Sequence, residues 1–281
     1  MNYRKLYHPI TSTPFRQNDE YTEYEPCAAL KPYIKCFWGT KQPVCQSGYN
    51  TLVIPDTCMD VIFTADYTNN IITDKFCGID DRAFLSTSEQ GRIVFTFGIR
   101  FYAWGTAMFT EDTLRNTQNA FFEADTHFMK LKKIIEPRLF DTSDIREIIP
   151  VAEAALLSCF NEKHNNGKVS EVMGLLLERK GNLLVGKLSN DVHISERQLE
   201  RIFHEYIGCS IKNMASLIRY QYLWNEIIFN KEFNILDAVF KYGYYDQAHL
   251  LNDFKKHHSM TIKEAKAHAF QSVGNLQDEL L

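Results

Sequence analysis

The chain has 281 residues, of which 45% are hydrophobic and 23% charged, and its formal net charge is −4. This length favours two domains, and the composition is typical of folded rather than disordered chains. The sequence has no apolar run near the ~18 residues of a membrane span and no signal-peptide pattern, so we expect a cytoplasmic protein without membrane contact.

An irregular lead-in of about 25 residues precedes a part of the chain that is rich in strand signals. Pro55-Asp56 and Asn69-Asn70 are turn signals that separate the strand-like runs. We therefore predict an antiparallel β domain over residues ~30–104, either a small sandwich or a barrel. The strand-like runs are 51–54, 59–64, 71–73 and 92–101.

After Thr110 the apolar spacing becomes helical. Phe121-Phe122, Phe128, Leu131 and Ile134-Ile135 recur at steps of three and four residues, which indicates a helix.

A further helix is predicted over 145–159, with Asp144 as its cap and Pro150 as a kink or a break. One face of this helix is apolar, which is typical of a core helix but also fits a dimer seam. That face carries Ile148, Ala152, Ala155, Leu156 and Cys159.

The polar, glycine-containing segment 161–168 is the best candidate for an interdomain linker. The predicted organisation is an N-terminal sensor or dimerisation domain over 1–160, the linker, a second domain over 169–270 and a flexible tail over 271–281.

The most informative stretch is 191–208, DVHISERQLERIFHEYIG. Ser195 is placed to cap a helix over 195–206, and a shorter helix around Leu188 precedes it across a tight connection. This arrangement predicts a helix-turn-helix unit, whose second helix enters the major groove of DNA. Leu199, Ile202, Phe203 and Tyr206 form the inward stripe, and Arg197, Glu200, Arg201 and His204 form the polar face.

A second unit is predicted over 234–256, NILDAVFKYGYYDQAHLLNDFKK. Asn234 and Asp246 are cap candidates, and Gly243 lies where the first helix must end. The second helix, 246–256, has Leu250 and Phe254 inside. Its outer and lateral positions carry Gln247, Ala248, His249, Asn252, Lys255 and Lys256.

A long apolar-faced helix over 210–229 is predicted to join the two units. The two cap residues, Ser195 and Asp246, are 51 residues apart. A helix of 18–20 residues spans about 30 Å, close to one turn of DNA, so both recognition helices could enter successive major grooves on one face.

Residues ~168–268 resemble the DNA-binding domain of the AraC/XylS family of bacterial transcription regulators. The resemblance is carried by ISERQLERIFHEYIG, by IRYQ in the linker and by GYYDQAHLLNDFKK. It implies seven helices and an N-terminal domain that senses a signal or dimerises. It also implies DNA-facing roles for Arg197, Glu200 and Arg201 in the first recognition helix and for Gln247, Ala248, His249, Leu251 and Asn252 in the second.

The chain departs from the family pattern at three places. Ile211 stands where the family usually has proline, residues 259–262 stand where it has Gly-x-x-Pro, and Asn252 replaces a common arginine. The last change removes a contact worth about 1–3 kcal/mol. The first recognition helix is therefore expected to carry more of the specificity.

The N-terminal half is similar, more loosely, to a β-rich domain found fused to such regulators. LKPYIKCFW, VIPDTCMDVIF and GIRFYAWGTAMF carry this similarity, although Ala103-Trp104 replaces the usual Pro-Gly. No ligand residue follows from it. Asp56, Asp60 and Arg100 could line a pocket with Tyr102 and Trp104, although the two aromatic residues more often close a core.

The C-terminal part of the chain has the positive net charge expected of a DNA-binding domain, but this charge is small. Residues 1–167 carry a net charge of −4 and residues 168–270 a net charge of +2.

The seven cysteines form no Cys-x-x-Cys pair, which fits reduced thiols. No catalytic motif, metal site or cofactor is predicted. His257-His258 is interpreted as surface charge near DNA rather than as a metal pair.

The sequence therefore predicts an α+β chain: a β-rich sandwich- or barrel-like domain with trailing helices, then an all-α domain of two helix-turn-helix units joined by a long helix. The predicted function is a sequence-specific transcription regulator and not an enzyme. The partners are duplex DNA and, as options, RNA polymerase, a small-molecule effector and a second copy of the chain. Two alternatives stay open: a ligand-binding or enzymatic β domain whose C-terminal half no longer binds DNA, and a thiol-based redox sensor that acts through DNA.

Overall fold

The strands of the N-terminal half pair antiparallel throughout, as predicted. The computed structural model describes residues 3–12, 20–48, 50–183 and 185–271. Within these residues the strands are β1 (Thr22–Tyr24), β2 (Ile34–Gly39), β3 (Val44–Cys45), β4 (Asn50–Val53), β5 (Cys58–Asp66), β6 (Ile71–Cys77), β7 (Phe84–Thr87), β8 (Ile93–Tyr102) and β9 (Phe121–Phe122).

The described α-helices follow the strands and fill the C-terminal half. They are α1 (Ala103–Thr106), α2 (Asp125–Ile135), α3 (Ile145–Cys159), α4 (Gly167–Glu178), α5 (Val185–Asp191), α6 (Glu196–Ile207), α7 (Ile211–Phe229), α8 (Ile235–Tyr242), α9 (Gln247–His258) and α10 (Ile262–Gln271). None of the helices in the described ranges is both long and apolar enough to cross a membrane.

A seven-stranded sheet has the order β1-β2-β8-β5-β6-β9, with β3 also paired to β8, and β4 and β7 form a separate two-stranded sheet. β5 and β8 are its central strands and pair from Cys58↔Tyr102 to Asp66↔Val94. Alternate residues of these strands, such as Val61 and Phe97, are fully buried in a core shared with α2 and α3. The opposite face of the seven-stranded sheet faces the two-stranded sheet.

One detail of the helical prediction was wrong, and for another, the kink or break at Pro150, the break is excluded. Phe121 and Phe122 form the short strand β9 instead of starting a helix, because they pair with Cys77 and Phe76 of β6. α3 runs without a break through Pro150, whose ring is exposed while Ile148 and Ala152 on either side are buried. Packing of these neighbours holds the helix despite the missing amide donor.

The apolar face of α3 belongs to the core. Four of its five predicted residues are buried, namely Ile148, Ala152, Ala155 and Leu156. A dimer seam would need this face at the surface, so the core interpretation holds.

The predicted linker, 161–168, lies against the N-terminal domain. It contains a short 3₁₀ helix at Glu162–His164, and α4 begins at Gly167. The Asn161 amide donates to the Met108 carbonyl oxygen at 2.9 Å. The domain boundaries stay predictions, and the predicted tail lies, from residue 272 onward, outside the described residues.

Both halves of the chain share their hydrophobic cores. One cluster joins the sheet to α2, α3 and the first helix-turn-helix unit and extends to Ile218. A second cluster contains the buried residues of α7 from Tyr220 onward and those of the second unit. Leu52 and Ile54 of the N-terminal domain also belong to it. The N-terminal domain therefore packs separately on each unit.

Gly98 provides a test of the sheet. A Cβ atom at this position would lie 2.3 Å from Cε2 of the Trp38 ring, which crosses β8 there. Gly98→Ala should displace the ring and lower the free energy of unfolding in urea by about 1–3 kcal/mol. Gly167→Ala is the control, since nothing lies within 4 Å of its Cβ position. Equal stability of the two variants would contradict the packing described.

Candidate nucleic-acid interface

The first recognition helix, α6, has the predicted cap and the predicted inward stripe. The Ser195 hydroxyl accepts a hydrogen bond from the Gln198 amide at 3.3 Å, and Gly208 ends the helix with a φ of +83°. A hydroxyl cap and a left-handed glycine are the local signals that fix where such a helix begins and ends. Leu199, Ile202 and Phe203 are buried, so the polar face points outward.

The two arginines of this face are exposed. Arg201 Nη1 lies 3.3 Å from Glu205 Oε2, an exposed i,i+4 pair of the kind worth a few tenths of a kcal/mol. Among the described residues, Arg197 forms no ion pair. Both guanidinium groups can therefore bind an external acceptor with little loss of folding free energy.

The side chains of Glu200 and His204 are less exposed than those of the two arginines. Both are half-buried. Glu200 Oε2 accepts from the Ile211 amide at 3.4 Å and lies 4.0 Å from His204 Nε2. Glu200 thus supports the start of α7 as well as lying on the outer face of α6.

The second unit also forms as predicted. Asn234 caps α8, Gly243 ends it with a φ of +68°, and Asp246 Oδ1 accepts from the His249 amide at 2.7 Å at the start of α9. Leu250 and Phe254 are buried against α7 and α8.

All six residues predicted to face DNA on α9 are exposed: Gln247, Ala248, His249, Leu251, Asn252 and Lys255. His249 is anchored, because its Nδ1 accepts from the Tyr245 amide at 3.2 Å and its ring packs edge-on to Tyr244 at 5.3 Å. Nδ1 accepts here, so Nε2 carries the proton in the neutral ring and is the donor available outward.

The linker helix α7 has 19 residues and a length of about 28 Å. It is buried on most of its circumference, from Ile211 to Ile228. Asp253 of α9 holds the second unit to it, since its carboxylate accepts from Ser216 Oγ at 3.2 Å and from the Tyr244 hydroxyl at 3.1 Å. Arg219 Nη2 lies 3.4 Å from Asp253 Oδ2 in the same cluster.

His257 and His258 are buried, so their interpretation as surface charge was wrong. His257 Nδ1 donates to the Asp81 carbonyl oxygen at 2.7 Å, and its Nε2 faces Ser216 Oγ at 2.9 Å. His258 stacks on Phe254 and bonds to the Tyr220 hydroxyl at 2.8 Å. Burial lowers the pKa of both, to about 4 for His258.

A cavity of about 380 Å³ lies between the two sheets of the N-terminal domain. Arg100 is buried in its wall and donates to Asp60 Oδ1 at 3.0 Å and to Thr11 Oγ1 at 2.8 Å. Asp56 Oδ2 accepts from Thr11 Oγ1 at 2.6 Å. Asp56, Asp60 and Arg100 thus line a pocket as the sequence suggested.

Tyr102 and Trp104 are absent from this wall. They stack on each other at 4.4 Å in the core, which was the favoured interpretation of these two residues. Asp80, which sequence reasoning missed, lines the cavity instead. Burial raises its pKa to about 7, and the nearby carboxylates of Asp56, Asp60 and Asp81 add to the effect. No local pattern marks it, because the chain brings these acids together only on folding.

Two domain families match the chain. Residues 22–123 match a domain of unknown function, and residues 188–268 match the family described as a helix-turn-helix domain. The C-terminal domain is an AraC-type helix-turn-helix domain. Its match contains α6, α7, α8 and α9, so the two capped recognition helices described above are those of the AraC-type domain.

Solved structures similar to the chain include regulators with AraC-type domains. A transcriptional regulator of Chromobacterium violaceum is 22% identical over 37% of this chain and 93% of its own, with a TM-score of 0.34. The C-terminal domain of AraT, a response regulator of Geobacillus stearothermophilus, is 16% identical over 36% and 85%, with a TM-score of 0.34. ToxT of Vibrio cholerae O395 is 12% identical over 86% and 94%, with a TM-score of 0.40. Comparison with curated proteins finds no match.

Asp80 should make stability depend on pH. Its pKa is about 7 when folded and about 3.9 when unfolded, so the folded state binds the proton more tightly. The free energy of unfolding therefore falls as pH rises from about 4 to about 7 and is level above that range. Asp80→Asn should lose this slope and exceed the wild type by on the order of 1 kcal/mol at pH 8, after discounting for solvent screening.

Urea unfolding at pH 5 and pH 8 measures this difference. Asp141→Asn, which changes an exposed carboxylate of the same domain, is the control and should keep the wild-type slope. An Asp80→Asn variant that also keeps the wild-type slope would show that Asp80 is not the titrating group.

Proposed function

We propose that the chain is a sequence-specific, DNA-binding transcription regulator that places α6 and α9 in successive major grooves of one face of the duplex. The observation that carries the proposal is the pair of independently capped recognition helices on a single linker helix. Their outer faces are polar, and Arg197 and Arg201 on α6 and Gln247, Asn252 and Lys255 on α9 are exposed. The linker length of about 28 Å is close to the ~34 Å rise of one helical turn of DNA.

Arg197 and Arg201 are proposed to make the principal base or phosphate contacts. A guanidinium pairs bidentately with guanine O6 and N7 or bridges phosphates, and both groups are exposed on the outer face of α6. Glu200 and His204 are proposed to contribute at the margin of this face.

The second helix is proposed to contribute through polar and shape contacts. Gln247 and Asn252 carry amides that can read adenine, and His249 offers its Nε2. Ala248 and Leu251 can pack on thymine methyl groups, and Lys255 can contact a phosphate.

The cavity is proposed as the site of the signal. Its volume lies within the range of small-molecule sites, and its polar groups converge on one wall. Asp56 and Pro55 line it, and the Pro55 carbonyl oxygen accepts a hydrogen bond from Gln221 of α7. A bound effector would therefore touch a segment that also contacts the linker helix.

Four cysteines, three of them buried and Cys77 half-buried, are poorly suited to a thiol-based signal. Burial raises the pKa of Cys36 to about 12 and also raises the pKa of Cys58, Cys77 and Cys209. Thiols of this kind are poor nucleophiles at neutral pH because the reactive species is the thiolate.

DNA binding can be tested by fluorescence anisotropy on a duplex that the wild-type protein selects from a random pool. Arg197→Ala/Arg201→Ala should lose about 2–4 kcal/mol of binding free energy on this duplex. The variant should keep the weak, salt-sensitive affinity for unrelated DNA to within several-fold.

Arg138→Ala is the matched control, since it removes an exposed arginine of the N-terminal domain. It should bind like the wild type. Failure to enrich any duplex, or equal binding by the double variant and the wild type, would contradict the proposed function or the proposed contacts respectively.

A further inference from the structure

Two loops of the N-terminal domain contact the C-terminal ends of the two recognition helices. Residues 79–83 contact α9, where the Ala83 amide donates to the His257 carbonyl oxygen at 2.7 Å and His257 Nδ1 donates to the Asp81 carbonyl oxygen at 2.7 Å.

Residues 114–119 contact α6 in the same way. The Leu114 amide donates to the Glu205 carbonyl oxygen at 2.9 Å, and Arg115 Nη2 lies 3.6 Å from Glu205 Oε2. A Cβ atom at Gly208 would lie 2.4 Å from Thr117 Oγ1. The loop therefore lies directly against the end of the helix, with no room for a larger residue.

The two loops are bonded to each other, and we call them the loop pair. The Asp81 amide donates to Asn119 Oδ1 at 2.8 Å, and Asn119 Nδ2 donates to Asp81 Oδ1 at 3.1 Å. Gln118 Nε2 donates to Asp81 Oδ2 at 3.1 Å, and the Asn119 amide donates to the Ile79 carbonyl oxygen at 2.9 Å. Asp81 is thus at the centre of a continuous hydrogen-bonded connection from α9 to α6.

This connection runs beside the linker helix and meets it at His257, whose Nε2 faces Ser216 Oγ of α7 at 2.9 Å. The first unit packs in the hydrophobic cluster that ends at Ile218, and the second packs in the cluster that begins at Tyr220. The relative position of α6 and α9 is therefore fixed by two supports, α7 on one side and the loop pair on the other.

We propose that Asp81 is a positioning residue: through the loop pair it sets the distance and angle between α6 and α9, and hence the spacing between DNA half-sites that the protein accepts. The effect on half-site spacing rests on the proposed function. The effect on the distance and angle between α6 and α9 does not depend on it.

The loop pair is also continuous with the cavity. Gly78 and Asp80 line the cavity, and Asp81 follows them directly. A Cβ atom at Gly78 would lie 1.8 Å from the Thr117 carbonyl oxygen, so the wall of the cavity is in direct contact with the second loop. The wall of the cavity is thus joined through the loop pair to the ends of both helices.

Two variants break the connection at different bonds. Asp81→Ala/Asn119→Gly removes the side-chain bonds between the loops, and glycine suits position 119 because its φ is +53°. His257→Phe keeps an aromatic ring in the buried position but removes the donor to the Asp81 carbonyl oxygen. It also removes the partner of Ser216 Oγ on α7, so Ser216→Ala is its matched control and should keep the wild-type distance distribution. Asp81→Asn retains an acceptor for Asn119 and serves as the conservative rescue, and Asp141→Ala is a surface control.

The first readout needs no DNA. Spin labels at Gln198→Cys and Lys256→Cys, two exposed positions on α6 and α9, report the distance between the helices by pulsed electron resonance. Cys27, Cys45, Cys77 and Cys159 are replaced by serine beforehand to remove the thiols that are not fully buried. We expect a narrow distribution in the wild type, in Asp81→Asn and in Asp141→Ala, and a broad one in both disrupting variants.

The second readout is affinity for duplexes whose two half-sites are separated by varied numbers of base pairs. The disrupting variants should bind a single half-site within twofold of the wild type. Their preference for the best spacing over the neighbouring ones, about tenfold or more in the wild type, should shrink severalfold.

Folded disrupting variants with an unchanged distance distribution would overturn the proposal, as would unchanged spacing preference. A wild type that selects no duplex, together with a broadened distribution in the variants, would refute the proposed function and leave the mechanical role of Asp81 standing.

Discussion

The position of the linker helix α7 depends on one buried amide. Gln221 Oε1 accepts from the Ile10 amide at 2.8 Å, and its Nε2 donates to the Ile10 carbonyl oxygen at 2.8 Å and to the Pro55 carbonyl oxygen. A buried polar group is stabilising only when it is fully paired, so these bonds specify a single register between α7 and the N-terminal domain. Because α7 supports both recognition helices, this register also fixes where the N-terminal domain meets each of them.

The N-terminal domain consequently contacts the C-terminal half at several points. Its segment at Pro55 contacts α7, its loop at Asp81 contacts α9, and its loop at Leu114 contacts α6. The cavity adjoins the first two contacts. A change inside the cavity can therefore alter the geometry of the recognition helices without separating the domains, and a difference of one or two kcal/mol between two arrangements would suffice for a regulatory response.

The sequence predicted what is encoded locally. The caps Ser195 and Asp246, the glycine at 243 and the periodicity of both recognition helices are short-range signals, and the structure confirmed them. Phe121-Phe122 was mistaken for helix because strand pairing with β6 is long-range. Pro150 was expected to kink or break α3, and the packing that keeps the helix unbroken could not be seen in the sequence. The burial of His257 and His258, the role of Asp80 and the bonds of Asp81 arise from contacts between distant segments, which no pattern in one sequence reveals.

The proposed function requires that both recognition helices act together in one fixed arrangement. Hydroxyl-radical footprinting of the full-length protein on its selected duplex tests it directly. We expect two protected patches on one face of the DNA, about 10 base pairs apart, with the patch under α6 lost selectively in Arg197→Ala/Arg201→Ala. A single protected patch, or two patches on opposite faces of the duplex, would contradict it.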